Sequence, residues 1–232
     1  MSKTSTHRFV IESAQFAKLE RALSVALPAA RSLGVDTGIF WMHCSIFAAT
    51  PYASIGLDKN FDLDFLDWSK CIAISQLAAR SLIFELQTRC VRYLKRIEVV
   101  VTGKEVVFRF EHDRKSKLTV PPLVSRYSGP WEPRLTPDEQ CALLFAHRLD
   151  YECTFSIEEV RRKLRSNEDY GYIVLEYLQA VDSPGSMSRS LLSALLKVVK
   201  DENAIFRTSY YKDQRCVVFR AGDVIAVFSV ID

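Results

Sequence analysis

Phe9-Val-Ile-Glu-Ser-Ala-Gln-Phe-Ala-Lys-Leu19 is the stretch on which the fold turns. Its first part, Arg8-Phe-Val-Ile-Glu12, is rich in β-formers. From Gln15 to Leu27, Phe16, Leu19, Leu23 and Leu27 then recur at the spacing of one helix face. A strand therefore leads into an amphipathic helix. Downstream, Gly38-Ile-Phe-Trp-Met-His-Cys-Ser-Ile-Phe-Ala-Ala49 reads as a strand, Tyr52 to Leu57 continues it, and Phe61-Asp-Leu-Asp-Phe65 alternates with period two. A second helix is expected between Cys71 and Gln87. Arg96 to Phe110 reads as two strands around a tight Thr102-Gly-Lys104 turn. The first half is thus expected to run β-α-β-β-β-α-β-β.

The polar stretch from His112 to Gln140, with Pro121, Pro122, Gly129, Pro130, Pro133 and Pro137, divides the chain into near-equal halves. After it, Leu149-Asp-Tyr-Glu-Cys-Thr-Phe155 is an alternating strand. Ser156 is a suitable N-cap for a helix from Ile157 to Arg165, with Glu158 and Glu159 in its first turn. Tyr170 to Tyr177 is expected to be a strand, Asp182-Ser-Pro-Gly185 a turn, and Ser188 the cap of a helix reaching Lys200. Ala204 to Tyr211 and Cys216 to Val230 close the chain as strands, the latter broken at Ala221-Gly-Asp223 into a hairpin. The second half repeats the plan of the first in shorter form.

Composition narrows the class. With 232 residues, 48% hydrophobic and 25% charged, the chain has the make-up of a globular protein and can bury one large core or two smaller ones. No apolar run has the length of a membrane span, and Met1 to Arg8 carries no apolar signal core. The expectation is an intracellular protein that meets no membrane. Cys44, Cys71, Cys90, Cys141, Cys153 and Cys216 form no C-x-x-C pair and read as buried thiols. A net charge of +3 is mild, so the location of the charge matters more than its sum.

The tandem order, strand, helix, antiparallel strands, helix, antiparallel strands, with a long connector between two copies, resembles the DNA sliding clamps, the ring-shaped processivity factors of DNA polymerases. Phe9 to Leu19 is similar to a clamp's opening strand and helix. Ile46-Phe-Ala-Ala-Thr50, Ala53-Ser-Ile-Gly-Leu57 and Phe61 to Phe65 are similar to the strands before its second helix. Leu191 to Lys200, followed by strands ending Val224-Ile-Ala-Val-Phe-Ser-Val230, resembles the end of a clamp domain. The resemblance implies an α+β fold of two tandem clamp-like domains, each an antiparallel sheet layer with two helices on one face. Their bounds would be 1–115 and 148–232, with residues 116–147 as the connector. It also implies a homo-oligomer, most simply a trimer, closed around duplex DNA with helices inward and sheets paired edge to edge outside. Its partners would be DNA, held without regard to sequence, and peptide motifs of polymerases and clamp loaders. Its place would be the site of replication, in a bacterial cytoplasm or a nucleus.

A sliding protein must hold phosphates without reading bases, so the resemblance directs attention to cations opposite the apolar helix stripes. Lys18 and Arg21 lie opposite Phe16, Leu19 and Leu23. Arg189, Lys197 and Lys200 share the face opposite Leu191, Leu195 and Val198. Arg161, Arg162 and Arg165 come from the helix at Ile157, and Arg80 from the second helix. These nine are the candidate DNA contacts. Against them stands the ordinary reading of charged helix faces as solvated surface. The run Arg89, Arg92, Lys95, Arg96 fits solvation of a strand better than DNA. In the connector, Leu123, Val124 and Tyr127 are candidates for a partner-peptide groove, the alternative being that they pin the loop to the domain.

Enzymatic readings find little support. His7, His43, His112 and His147 show no zinc-binding spacing, and no phosphate-binding glycine loop or nucleophile elbow is present. Asp62, Asp64 and Asp67 look like a metal cluster, but Asp62 and Asp64 alternate with core residues as a half-buried strand requires. No catalytic residue, metal or cofactor is expected. The competing function is a structural or assembly protein, viral in one version, or a clamp-derived adaptor that does not encircle DNA.

Overall fold

The computed structural model describes residues 6–34, 38–42, 45–50, 53–57, 71–88, 92–102, 105–114, 119–126, 151–166, 172–174, 186–199, 205–211 and 216–229. Strand β1 (His7–Glu12) is followed by a 3-10 turn, Ser13–Gln15, in which the Glu12 N–H donates to Gln15 Oε1 at 3.0 Å. That turn aims the chain into α1 (Phe16–Leu33), which is longer than the apolar spacing suggests. The expected end at Leu27 is overrun through Pro28, and the helix stops at Gly34 with φ +119°. An interior proline costs a helix about 3 kcal/mol. Here tertiary packing offsets it, because Ala29 and Ala30 beyond the proline are fully buried.

Strands β2 (Gly38–Met42) and β3 (Ser45–Thr50) correct a second expectation. Residues 38–49 form an antiparallel hairpin with Phe40 opposite Phe47, not one strand. Both arms are buried on both faces, so neither shows the alternation that would set it apart as a strand of its own, and only His43 and Ser45 break the apolar run. Strand β4 (Ala53–Leu57) follows, and β5 (Cys71–Ile74) is a strand that the apolar spacing did not separate from the helix after it. Residues 61–65 and the turn at 182–185 lie outside the described residues. Helix α2 (Gln76–Gln87) is capped by Ser75, whose Oγ accepts from Ala78 N at 3.2 Å. Strands β6 (Leu94–Val101) and β7 (Glu105–His112) form the expected pair, and β8 (Leu123–Arg126), from the proline-rich stretch, adds to β7.

In the second half come β9 (Tyr151–Ser156), α3 (Ile157–Ser166), β10 (Tyr172–Val174), β11 (Ser186–Ser188), α4 (Arg189–Val198), β12 (Ile205–Tyr211), β13 (Cys216–Ala221) and β14 (Val224–Ser229). The start of α3 is a capping box. Glu159 N donates to Ser156 Oγ at 3.2 Å, and Ser156 N donates back to Glu159 Oε2 at 2.6 Å.

The fold is α+β with antiparallel sheets. A four-stranded sheet has the order β1-β6-β7-β8, and β10 pairs with β11. The eight-stranded sheet, β5-β2-β3-β4-β14-β13-β12-β9, draws on both halves. They meet where β14 pairs with β4, from Val224 opposite Leu57 to Phe228 opposite Ala53. The helices follow the same seam: α1 packs against α2 on one flank and α4 on the other, and α4 touches α3. The helical layer thus reads α2-α1-α4-α3. Alanines at 22, 26, 29 and 30 of α1, all buried, allow this close approach. Phe9 meets Trp41 edge-on at 5.3 Å, joining the core of the smaller sheet to that of the larger.

Candidate nucleic-acid interface

The packing of α1 determines which of its residues meet solvent. Leu19, Leu23, Val25, Ala26 and Leu27 point inward, leaving Ala17, Lys18, Arg21, Ser24, Pro28 and Arg31 along the outer surface. Lys18 is exposed there, as its position in the spacing requires. Arg21 is only part-exposed. It forms a two-pronged ion pair with Asp223 of the β13–β14 turn, Nε to Oδ2 at 2.7 Å and Nη2 to Oδ1 at 2.6 Å. This hydrogen bond, against some desolvation, holds the guanidinium above its ordinary pKa. Arg31, also exposed, lies in the turn beyond Pro28, past the end at Leu27 that the apolar spacing predicts, and so is absent from the candidates of the sequence.

Arg80 is exposed on α2. On α3, Arg161 pairs with Glu158 at 2.8 Å, and Glu159 is engaged in the capping box, so both first-turn carboxylates are used locally. Arg162 and Arg165 are exposed and line an open groove with those glutamates. On α4, Lys197 is exposed in the last turn. Arg189 opens the helix, though its side chain lies outside the described residues, as does Lys200. Of the connector candidates, Leu123 packs partly against the core, Val124 is exposed, and Tyr127 lies outside the described residues.

Beyond the pairs of Arg21 and Arg161, the helical layer and the four-stranded sheet differ in how their cations are engaged. On the four-stranded sheet, each lysine and arginine whose side chain is described is paired across strands. Arg8 and Arg109 both approach Glu98, at 3.9 and 3.2 Å; Arg96 meets Glu111 at 2.6 Å and Lys95 meets Asp113 at 3.8 Å. The pairing with Glu111 holds Arg96 above its ordinary pKa. In the helical layer, by contrast, Arg31, Arg80, Arg162, Arg165 and Lys197 are exposed and make no ion pair among the described residues. An unpaired cation retains its full attraction for phosphate, whereas a paired one has spent most of it.

No protein-family model and no curated protein sequence matches the chain. Solved structures do. The β subunit of DNA polymerase from Streptococcus pyogenes aligns over all of this chain and 67% of its own, with 12% identity and a TM-score of 0.56. The DNA polymerase III β subunit of Thermotoga maritima aligns over all of this chain and 66% of its own, with 10% identity and a TM-score of 0.59. That of Pseudomonas aeruginosa does so over all of this chain and 68% of its own, with 10% identity and a TM-score of 0.57. The chain has the sliding-clamp fold. It spans about two thirds of the length of those polymerase subunits. Within this sliding-clamp fold, no helix among the described residues is long and apolar enough to cross a membrane. Asp62, Asp64 and Asp67 lie outside the described residues.

Among the described residues the helical layer ends at α2 and α3, and α2 carries exposed apolar side chains. On α2, Leu77 and Phe84 are 74% and 64% exposed. They stand two turns apart on one stripe. Gln87 Nε2, one turn along from Phe84, donates to Glu20 of α1 at 2.6 Å. Leu77 and Phe84 lie on the outer face of α2, opposite its buried Ala78, Ala79, Leu82 and Leu86. Their spacing is legible in the sequence, but exposure is not.

Proposed function

We propose that the chain is a non-enzymatic DNA clamp whose domains, 1–115 and 148–232 with the connector 116–147 between them, assemble with further copies into a ring around duplex DNA. The carrying observation is the treatment of charge: Arg31, Arg80, Arg162, Arg165 and Lys197 of the helical layer make no ion pair among the described residues, while the described strand cations of the four-stranded sheet are paired. Phosphates would meet Lys18, Arg31, Arg80, Arg162, Arg165 and Lys197, with Arg189, Lys200, Arg161 and Arg21 beside them. Contacts of this kind are independent of sequence and weaken steeply with salt, which suits a protein that moves along its ligand.

Closure would join the end of the layer at α2 and β5 to the end at α3 and β9 of another copy. Leu77 and Phe84 would be covered there, and the edge strands β5 and β9 would gain partners. Polymerase or loader peptides would dock near Leu123, Val124 and Tyr127. Light scattering should give a mass of roughly 80 kDa, three times the 26.5 kDa chain, as a closed cyclic assembly requires. The chain should then stay on a closed circular duplex through a high-salt wash and slip off once that duplex is linearised. A monomer that binds circular and linear DNA alike would instead indicate an adaptor that does not encircle, and a chain with no affinity for duplex would indicate an assembly protein.

A further inference from the structure

Arg21 and Asp223 come from opposite ends of the chain, 202 residues apart, yet meet by a fork of two hydrogen bonds at 2.7 and 2.6 Å. Asp223 reaches Arg21 because Gly222, with φ +61°, turns β13 tightly into β14, and β14 is the strand paired to the first half. The carboxylate thereby sits on the outer stripe of α1, which also carries Lys18 and Arg31. Both side chains remain in contact with solvent, Arg21 at 34% and Asp223 at 48%. Glu20, the neighbouring carboxylate, is engaged by Ser24 at 3.2 Å and Gln87 at 2.6 Å.

We infer that Asp223 attenuates the grip on DNA: it neutralises Arg21 on the phosphate-facing surface and so sets how loosely the duplex is held. The inference rests on the clamp reading above. Its chemistry is charge bookkeeping on one pair. A guanidinium forked onto a carboxylate has no net charge to release a counterion from DNA, while the same guanidinium beside an amide does. A clamp gains from this, because each fully engaged phosphate slows sliding.

The test is the salt dependence of binding to a 30-base-pair duplex, measured by fluorescence anisotropy for the wild type, Asp223→Asn, Arg21→Gln and the double variant. Asp223→Asn should bind about three- to tenfold more tightly near 0.1 M salt, with a log–log slope steeper by up to about 0.9, the value for one phosphate. Arg21→Gln should bind more weakly, and the double variant, again neutral at this site, should return to the wild-type slope. Loss of a structural contact alone would not give that return. Weaker or unchanged binding by Asp223→Asn, with wild-type binding measurable and reduced by Arg31→Glu, would overturn the inference and spare the clamp reading. Absence of salt-dependent binding in the wild type and every variant would sink the clamp reading and the inference together. Thermal melts of the four proteins separate folding from binding, since a pair this exposed is worth up to about 1 kcal/mol.

Discussion

Ser125, in strand β8, holds the N-terminus of α2: its buried hydroxyl accepts from the backbone N–H of Ser75 at 2.9 Å. Ser75 in turn caps the helix through its own hydroxyl. Strand β8 is therefore fastened to the helix that carries Arg80. Replacing Ser125 with Ala strands a part-buried N–H and should cost about 1–2 kcal/mol in urea denaturation. Ser75→Ala should cost about 1 kcal/mol as a lost cap. Because the two bonds share Ser75, the double variant should lose less than the sum of the singles.

Ala26, on the inner side of α1, is fully buried where the helix lies between its neighbours. Ala26→Leu adds three carbons where no space exists and should destabilise by about 1–3 kcal/mol, read as a lower urea midpoint at unchanged slope. A neutral result would mean that α1 is less tightly held than its burial indicates.

Gly56 occupies the middle of β4, directly against β3. A Cβ built there would fall 2.8 Å from Phe47 Cβ and 2.9 Å from Ile46 O. Since Gly56 also faces Ile225 across the seam, Gly56→Ala should loosen the join between halves as well as lower stability, by about 1–3 kcal/mol. Amide exchange in β14 should accelerate more than exchange in β6 and β7.

Reversing unpaired helix-layer cations should weaken DNA retention. Arg31→Glu, Arg162→Glu and Lys197→Glu are each expected to lower duplex affinity several-fold and to flatten the salt dependence by about one phosphate. Arg109→Glu, on the sheet, should leave DNA binding unchanged, so the pair of results separates the two faces.

Leu77→Glu combined with Phe84→Glu should leave the fold intact, since both side chains are exposed, but should reduce the native mass toward that of one chain. Circular dichroism checks the first outcome and light scattering the second. An unchanged mass would place the contact between copies elsewhere.

Much of the fold was legible because burial leaves a local signature. Phe16, Leu19 and Leu23 recur at helical spacing, and the turn at residues 102–104 announces the β6–β7 hairpin. Ser156 and Glu159 spell out the start of α3 as the structure shows it. The misses share a cause. The β2–β3 reversal is hidden because both arms are apolar on both faces, and α1 passes Pro28 because its neighbours, not its own propensity, hold the last turn. Arg31 was lost from the candidate surface for that same reason.

The amino-acid sequence by itself determined the alternation of strands and helices, the cations on the helices and the absence of recognised catalytic patterns, since each depends on residues within a turn or two of one another. Only the tertiary structure decided that β4 pairs with β14, that α1 lies between α2 and α4, that Arg21 is claimed by Asp223, and that Leu77 and Phe84 are left uncovered. Periodicity says which face of an element is buried. The identity of what covers that face, or pairs with its charge, is set by elements up to two hundred residues away, and so is written in the packing of the whole chain.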